Sequence, residues 1–474
     1  MEKGIHIIWF RNDLRLLDNE VLLSAMKQCQ YLYPVFVFDP RQFEEQSLGF
    51  PRCGPLRTNF LLESLTDLKA NLQKKGSNLI VRFGLPENII PELATQLEAT
   101  AVFASKEVAT EEVAIEKSLE STLFRKKILL KLFWQSTLWH EDDIPWPIQN
   151  LPEVFTQFRK ENENATPIRP AKDAPAKLPA FGKVDAGQLP DLRDFGLQHP
   201  GLDERAAIHF SGGENAALER LRAYLWDTKA ITQYKNTRNG LLGSNYSTKL
   251  SAWLSLGTIS PRYVYYEVKK FEQEVLKNDS TYWLIFELYW RDYFRFVMKK
   301  YGSSMFRTKG IRGQPIYFVQ DMVIFELWRT GKTGVPFIDA NMRELLQTGF
   351  MSNRGRQNVA SFLIKDLQVD WVWGAQWFES QLIDYDVSSN WGNWNYVAGV
   401  GNDPRENRYF NILSQAMKYD GKGDYVRHWL PELSGIPGGK VHRPDALRKA
   451  DLFEAGVQLP ESYPLPIVDS SKWI

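Results

Sequence analysis

Two carboxylates, three amides and two indoles crowd into the fifteen residues from Leu382 to Tyr396, LIDYDVSSNWGNWNY. They are Asp384 and Asp386, Asn390, Asn393 and Asn395, and Trp391 and Trp394, set among apolar neighbours. Buried amides and carboxylates are costly unless each meets a partner. Few partners lie close in sequence, so the stretch suits a site for a large polar ligand better than a plain core. Upstream, FMSNRGRQNVASFLIK from Phe350 to Lys365 brings Asn353, Arg354 and Arg356 to the start of an otherwise apolar helix. Guanidinium forks placed there can engage those carboxylates or phosphates. A third cluster, Ser247, Thr248, Lys249 and Ser251, sets hydroxyls and a cation just before an apolar helix. It suits a diphosphate at a helix start, or serves as an ordinary helix cap.

The elements that must position these residues follow from length and patterning. A chain of 474 residues implies two or more domains with sizeable cores. Eight of the 16 Trp lie between Trp283 and Trp394, so the aromatic enrichment belongs to the second half. The net charge of +1 excludes overall nucleic-acid-like basicity and leaves only a patch. From Glu287 to Arg312 there are seven Lys or Arg against two acids. That run is either a solvated helix face or part of a nucleic-acid footprint. Cys29 and Cys53 are the only cysteines, which fits a reducing, cytoplasmic location. A strand from Ile5 leaves no room for a signal peptide, and no apolar run reaches membrane-spanning length. The six His are scattered, so no metal site is expected.

Short apolar runs alternating with amphipathic stretches predict a parallel α/β domain over residues 1–136. Its strands are Ile5 to Phe10, Tyr31 to Phe38, Asn78 to Phe83, Ala101 to Ala104 and Ile128 to Phe133. Helices fall between them at Asn19 to Gln30, Arg57 to Lys75, Glu87 to Ala99 and Thr110 to Phe124. Ligands of such sheets sit beyond the strand carboxyl ends, here Phe10 to Arg15, Phe38 to Arg41 and Ser105 to Val108. Neither GxGxxG nor a Walker loop occurs, so an ordinary dinucleotide or nucleoside triphosphate site is not indicated. Residues 137–205, rich in Pro, Ala, Lys and Asp, predict a surface linker or a binding loop. Residues 206–474 are helical in period and end in a short tail after Pro431.

Five segments then carry a family resemblance: WFRNDLRLLDN, SNYSTKLSAWLSLGTISP, FELYWRDYFR, GFMSNRGRQNVASF and LIDYDVSSNWGNWNYVAG, in this order. Over about residues 4 to 445 the chain resembles the photolyase and cryptochrome family, and most closely its cryptochrome DASH branch. The resemblance implies a Rossmann-like N-terminal domain of photolyase type and an all-α C-terminal domain holding noncovalent FAD. Implied flavin contacts are Tyr234, Ser247, Thr248, Lys249, Leu250, Ser251, Arg291, Arg356, Asp384, Tyr385, Asp386 and Asn390, with Arg356 pairing with Asp384. Asn390 matches the position beside flavin N5, where repair members carry Asn; in a bare sequence it reads more readily as a turn or capping residue.

The implied activity is light-driven repair of cyclobutane pyrimidine dimers by an electron from excited, reduced FAD, on a lesion base taken out of the stack. Glu287 matches the residue that hydrogen-bonds the dimer, and Trp290 and Tyr396 match its aromatic walls; Glu287, Trp290 and Asn390 are the catalytic set. Arg238, Arg291, Asn353, Arg354 and Gln357 match DNA-contact positions, which would make the basic run part of a groove. Tyr396 stands where duplex-repairing photolyases have Trp, and Gln357 where they have Met. A less apolar pocket offers less to offset flipping from a duplex, so single-stranded DNA is the expected partner, with the protein a monomer. A blue-light receptor or transcriptional regulator with little repair is the alternative, and a receptor role can also accompany repair.

The family's inward electron chain is matched by Trp394, nearest the flavin, and Trp371 in the middle. The outer position is Phe318, and no Trp occurs from Arg291 to Leu327. Phe is far harder to oxidise than Trp, which implies slow or rerouted photoreduction, for example through Tyr317. A folate antenna, 5,10-methenyltetrahydrofolate, is implied at the domain junction, with Glu107 matching a pterin-binding acid. A deazaflavin, no antenna, or a plain surface role for Glu107 remain open.

Overall fold

The computed structural model describes residues 4–314, 316–405 and 408–473. Its first 133 residues resolve into β1 (Gly4–Trp9), β2 (Cys29–Phe38), β3 (Ile80–Phe83), β4 (Ala101–Ser105) and β5 (Leu129–Phe133). All pair in parallel in the order β3-β2-β1-β4-β5. The central strands are nearly continuous apolar runs because both faces are covered by helices. Those helices are α1 (Glu20–Ala25), α2 (Pro55–Lys74), α3 (Pro86–Gln96) and α4 (Thr110–Arg125). Every expected strand is present, with ends within two residues. α1 is shorter than Asn19 to Gln30 because Gln28 takes a positive φ of 54° and turns the chain directly into β2.

The segment expected as a linker is partly structured. It contains α5 (Phe155–Ala165), whose Phe155 and Phe158 are buried against Trp290 and Trp139 of the helical core. Its apolar residues are too widely spaced in a polar context for composition to reveal that face. Leu178 and Leu192 are also buried, so much of this segment is strapped to the domains it joins.

The second half is helical: α6 (Glu214–Arg222), α7 (Tyr234–Thr237), α8 (Ser251–Ser255), α9 (Pro261–Glu274), α10 (Asp279–Tyr301), α11 (Met322–Arg329) and α12 (Pro336–Thr348). They are followed by α13 (Asn353–Ser361), α14 (Trp371–Gln381), α15 (Val387–Ala398), α16 (Ile412–Tyr419), α17 (Asp424–Trp429) and α18 (Lys449–Glu454). The opening motif forms α15, which lies between α10 and α14 at very close range. A Cβ on Gly392 would stand 2.3 Å from the Phe294 ring, and one on Gly374 would stand 2.3 Å from Trp394. Only glycine permits those approaches. Asp386 caps α15, its carboxylate accepting from Ser389 N at 2.7 Å. The two domains are joined by buried pairs: Arg262 donates to Asp18, and Glu214 accepts the backbone N–H groups of Leu16 and Leu17.

Candidate functional site

A cavity of about 500 Å³ opens within the helical domain. Most residues singled out from the sequence line it. The segment from Ser247 to Ser251 forms one side, running into α8, while Asp384, Tyr385, Asp386 and Asn390 come from the entry to α15 and its first turn. Tyr234, Arg356 and Trp394 complete the inner surface. Glu287, Trp290, Arg238, Asn353, Gln357 and Tyr396 line the same space.

The polar groups have the geometry of a prepared cradle. Arg356 Nη2 donates to Asp384 Oδ2 at 2.8 Å, as expected from the motifs. The other oxygen, Asp384 Oδ1, is buried and has no hydrogen-bond partner. A buried, half-satisfied carboxylate facing a cavity is a strong indication of a polar ligand. Lys249 Nζ is held over the rings of Tyr246 at 3.7 Å and Phe350 at 4.7 Å. Burial pushes its pKa down, opposed by the nearby Glu344 carboxylate. A bound anion would remove that penalty. Arg220 shapes the same loop, donating to the carbonyls of Ser244, Ser247 and Thr248 and to Asn245 Oδ1 at 2.8 to 3.1 Å. Asn390 is buried, its Nδ2 donating to Ala375 O at 3.0 Å, which fixes the amide's direction from α15.

Glu287 accepts from Arg238 Nη1 at 2.5 Å and from Trp283 Nε1 at 3.2 Å. Burial pushes its carboxyl pKa up, and Arg238 pulls it back. Trp290 and Tyr396 meet edge to face with ring centres 5.8 Å apart. Phe155 stacks behind Trp290 at 3.7 Å.

Several of the basic residues are held by partners within the chain. Arg291 is turned inward, donating to the Ser136 and Leu254 carbonyls and lying 4.0 Å from Asp386. Arg295 pairs with Glu107, Lys299 with Glu141, and Lys300 donates to Leu151 O. These three basic residues of α10 therefore meet the N-terminal domain and the linker. Arg354 does not line the cavity; it donates to Gln357 Oε1 at 2.9 Å and Asn239 Oδ1 at 3.1 Å and lies over Tyr419. Trp371 is fully buried behind the cavity, with its ring against Trp391. Phe318 packs on the helical core beside Val319, whose N–H donates to Gln368 O at 2.8 Å, and Tyr317 is 94% exposed.

Arg408 was not singled out from the sequence. Its guanidinium lies 5.1 Å from the Tyr396 ring centre, and its Nε donates to Asp403 at 2.5 Å. The charged run GNDPRENRYF directly after the last motif was the available signal.

A second cavity of about 180 Å³ lies at the domain junction, beyond the carboxyl ends of β1, β2 and β4. Phe10, Arg11, Asn12, Phe38, Asp39 and Glu107 line it, the region expected for a ligand of this sheet. Glu107 Oε2 accepts from Arg295 at 2.8 Å, while its buried Oε1 has no partner. Burial pushes the neighbouring Asp13 up to about 6 and Glu112 up to about 7.

A parallel sheet is thus joined to a helical domain that encloses a polar, aromatic cavity. Residues 6–179 match the DNA photolyase model, and residues 283–473 match the FAD binding domain of DNA photolyase. A cryptochrome DASH from Gloeobacter violaceus is 53% identical over 98% of this chain and 93% of its own length. The crystal structure of a Synechocystis cryptochrome is 50% identical, covers 99% of this chain and 97% of its own, and superposes with a TM-score of 0.96. A bacterial class III photolyase from Agrobacterium tumefaciens is 31% identical with a TM-score of 0.87, covering 100% of this chain and 96% of its own. The chain belongs to the photolyase and cryptochrome family, in the cryptochrome DASH branch.

Proposed function

We propose that this protein repairs cyclobutane pyrimidine dimers, preferentially in single-stranded DNA, by light-driven electron transfer from FAD. The observation that carries the reading is the convergence of Glu287, Trp290 and Tyr396 on the cavity that also holds Asp384 and Asn390. When bound, reduced and light-excited FAD supplies the electron that splits the dimer. Asp384, Arg356, Lys249 and the hydroxyls of Ser247, Thr248 and Ser251 are the groups that would hold the cofactor. The unpartnered Asp384 Oδ1 and the buried Lys249 cation fit it.

Glu287 offers its carboxylate to the polar edge of the extruded pyrimidines, and Trp290 and Tyr396 offer them apolar surface. The phenol of Tyr396 and the amide of Gln357 make that surface more polar than two apolar side chains would. Flipping a dimer from a duplex costs a few kcal/mol that a single strand largely avoids, which supports the substrate preference. Arg238 and Asn353 serve the DNA backbone in this reading, as does Arg354 once its partners release it. Trp394 supplies electrons inward.

The second cavity is assigned to 5,10-methenyltetrahydrofolate. Glu107 is the acceptor with a free oxygen, and Glu112, whose pKa burial pushes up, lines the same cavity. The protein is taken as a monomer. The two free, buried cysteines support a cytoplasmic location, and among the described residues no helix is long and apolar enough to cross a membrane. The test is light-dependent loss of dimers from an oligonucleotide; no loss on any strand form would shift the reading to a blue-light receptor.

A further inference from the structure

Phe318 leaves the inward electron chain without its outer Trp, and the side chains around Trp394 indicate another exit. Trp371 is fully buried, and its ring neighbour Trp391 is buried as well. A positive charge arriving there stays inside the protein, close to the cavity. Trp394 has an indole neighbour in Trp328, at 6.4 Å between ring centres and 75° between planes. Trp328 stacks on Phe325 at 5.7 Å, and Phe325 meets Trp373 edge to face at 5.4 Å. Trp328 and Phe325 are fully buried, whereas Trp373 is partly exposed. The same end point is reached through the backbone. A Cβ on Gly374, the residue directly after Trp373, would stand 2.3 Å from the Trp394 ring.

We infer that Trp373 is the surface electron donor of this chain, feeding Trp394 through Trp328 with Phe325 as a bridge. The inference rests on the FAD reading above. One electron passes from Trp394 to the flavin, one from Trp328 refills Trp394, and one from Trp373 refills Trp328. Phe325 is never oxidised; it only shortens the gap between two indoles. The charge that remains on Trp373 meets water, which stabilises a cation better than the protein interior does. There the indole N–H releases its proton to water, and a soluble thiol returns an electron together with a proton, becoming a thiyl radical that pairs with another to form a disulfide. Net, the flavin gains one electron and the thiol loses one. α14 thus carries two Trp with different fates, the buried Trp371 and the partly exposed Trp373.

The test is blue-light photoreduction of the FAD-loaded protein in the presence of dithiothreitol, with transient absorption of the tryptophan radical. Trp373→Phe should retain wild-type flavin content, slow photoreduction at least fivefold and shorten the radical lifetime, and Trp373→Tyr should recover part of the rate. Trp328→Phe should slow it comparably. Wild-type rates and radical lifetimes in Trp373→Phe, with Trp394→Phe slowed, would overturn the route. A wild-type protein that purifies without flavin would overturn the cofactor reading itself, an outcome separable by its visible spectrum alone.

Discussion

Trp290 and Tyr396 stand edge to face with planes at 85°, and Phe155 backs the indole. The pair is thereby fixed as a wall before any ligand arrives, and its composition should set substrate preference. An indole in place of the phenol adds apolar surface, worth about 0.5–1.5 kcal/mol for such an aromatic contact. Tyr396→Trp should therefore tighten binding of dimer-containing duplex DNA by about two- to tenfold, with a smaller effect on single strands. Fluorescence-anisotropy titrations of both forms check this; an equal gain on both would mean that the wall does not discriminate.

Arg238 lowers the pKa of Glu287 against the burial that raises it. Removing the cation should move the carboxyl further up, so the acid is protonated over a wider range extending towards neutral pH. Infrared titration of Arg238→Gln should show the buried carboxyl losing its proton at higher pH than in the parent protein. An unchanged titration would mean that the ion pair does not govern this acid.

Arg220 holds four acceptors of the loop that carries Ser247 and Thr248. Hydrogen bonds to a charged group contribute about 1.5–3 kcal/mol each, but a solvated loop would recover part of that. Arg220→Ala should weaken FAD retention by roughly 10- to 100-fold, an estimate that takes one such bond as the net loss. The ratio of flavin to protein absorbance after gel filtration measures it, and full retention would show that the loop keeps its shape unaided.

Glu107→Gln keeps the size of the side chain but removes the charge that pairs with Arg295. Loss of a pterin acceptor should lower near-ultraviolet antenna absorbance severalfold while FAD content stays unchanged. Unaltered antenna content in this variant would remove Glu107 from the second site.

Much of this was legible in the sequence because the signals were local. The five strands announce themselves as apolar runs, and the Arg356–Asp384 pair is implied by the family resemblance of the two motifs that carry it. What remained hidden depends on distant partners. α5 presents only two apolar side chains, Phe155 and Phe158, to a core built largely from residues more than a hundred positions later. The basic residues of α10 look free in sequence, yet Arg295 and Lys299 meet acids of the N-terminal half and linker. Arg408 sits in a run whose charges point to a loop, and only the fold brings its guanidinium onto Tyr396.

The central claim is repair with a preference for single strands. Reduced, FAD-loaded protein is illuminated with oligonucleotides carrying one cyclobutane dimer, single-stranded or annealed, and dimer loss is followed against a dark control. The account predicts light-dependent loss that is at least tenfold faster on the single strand at limiting protein, matching a flipping cost of a few kcal/mol partly recovered by binding. Equal rates on both strand forms, or no loss on either, would contradict it.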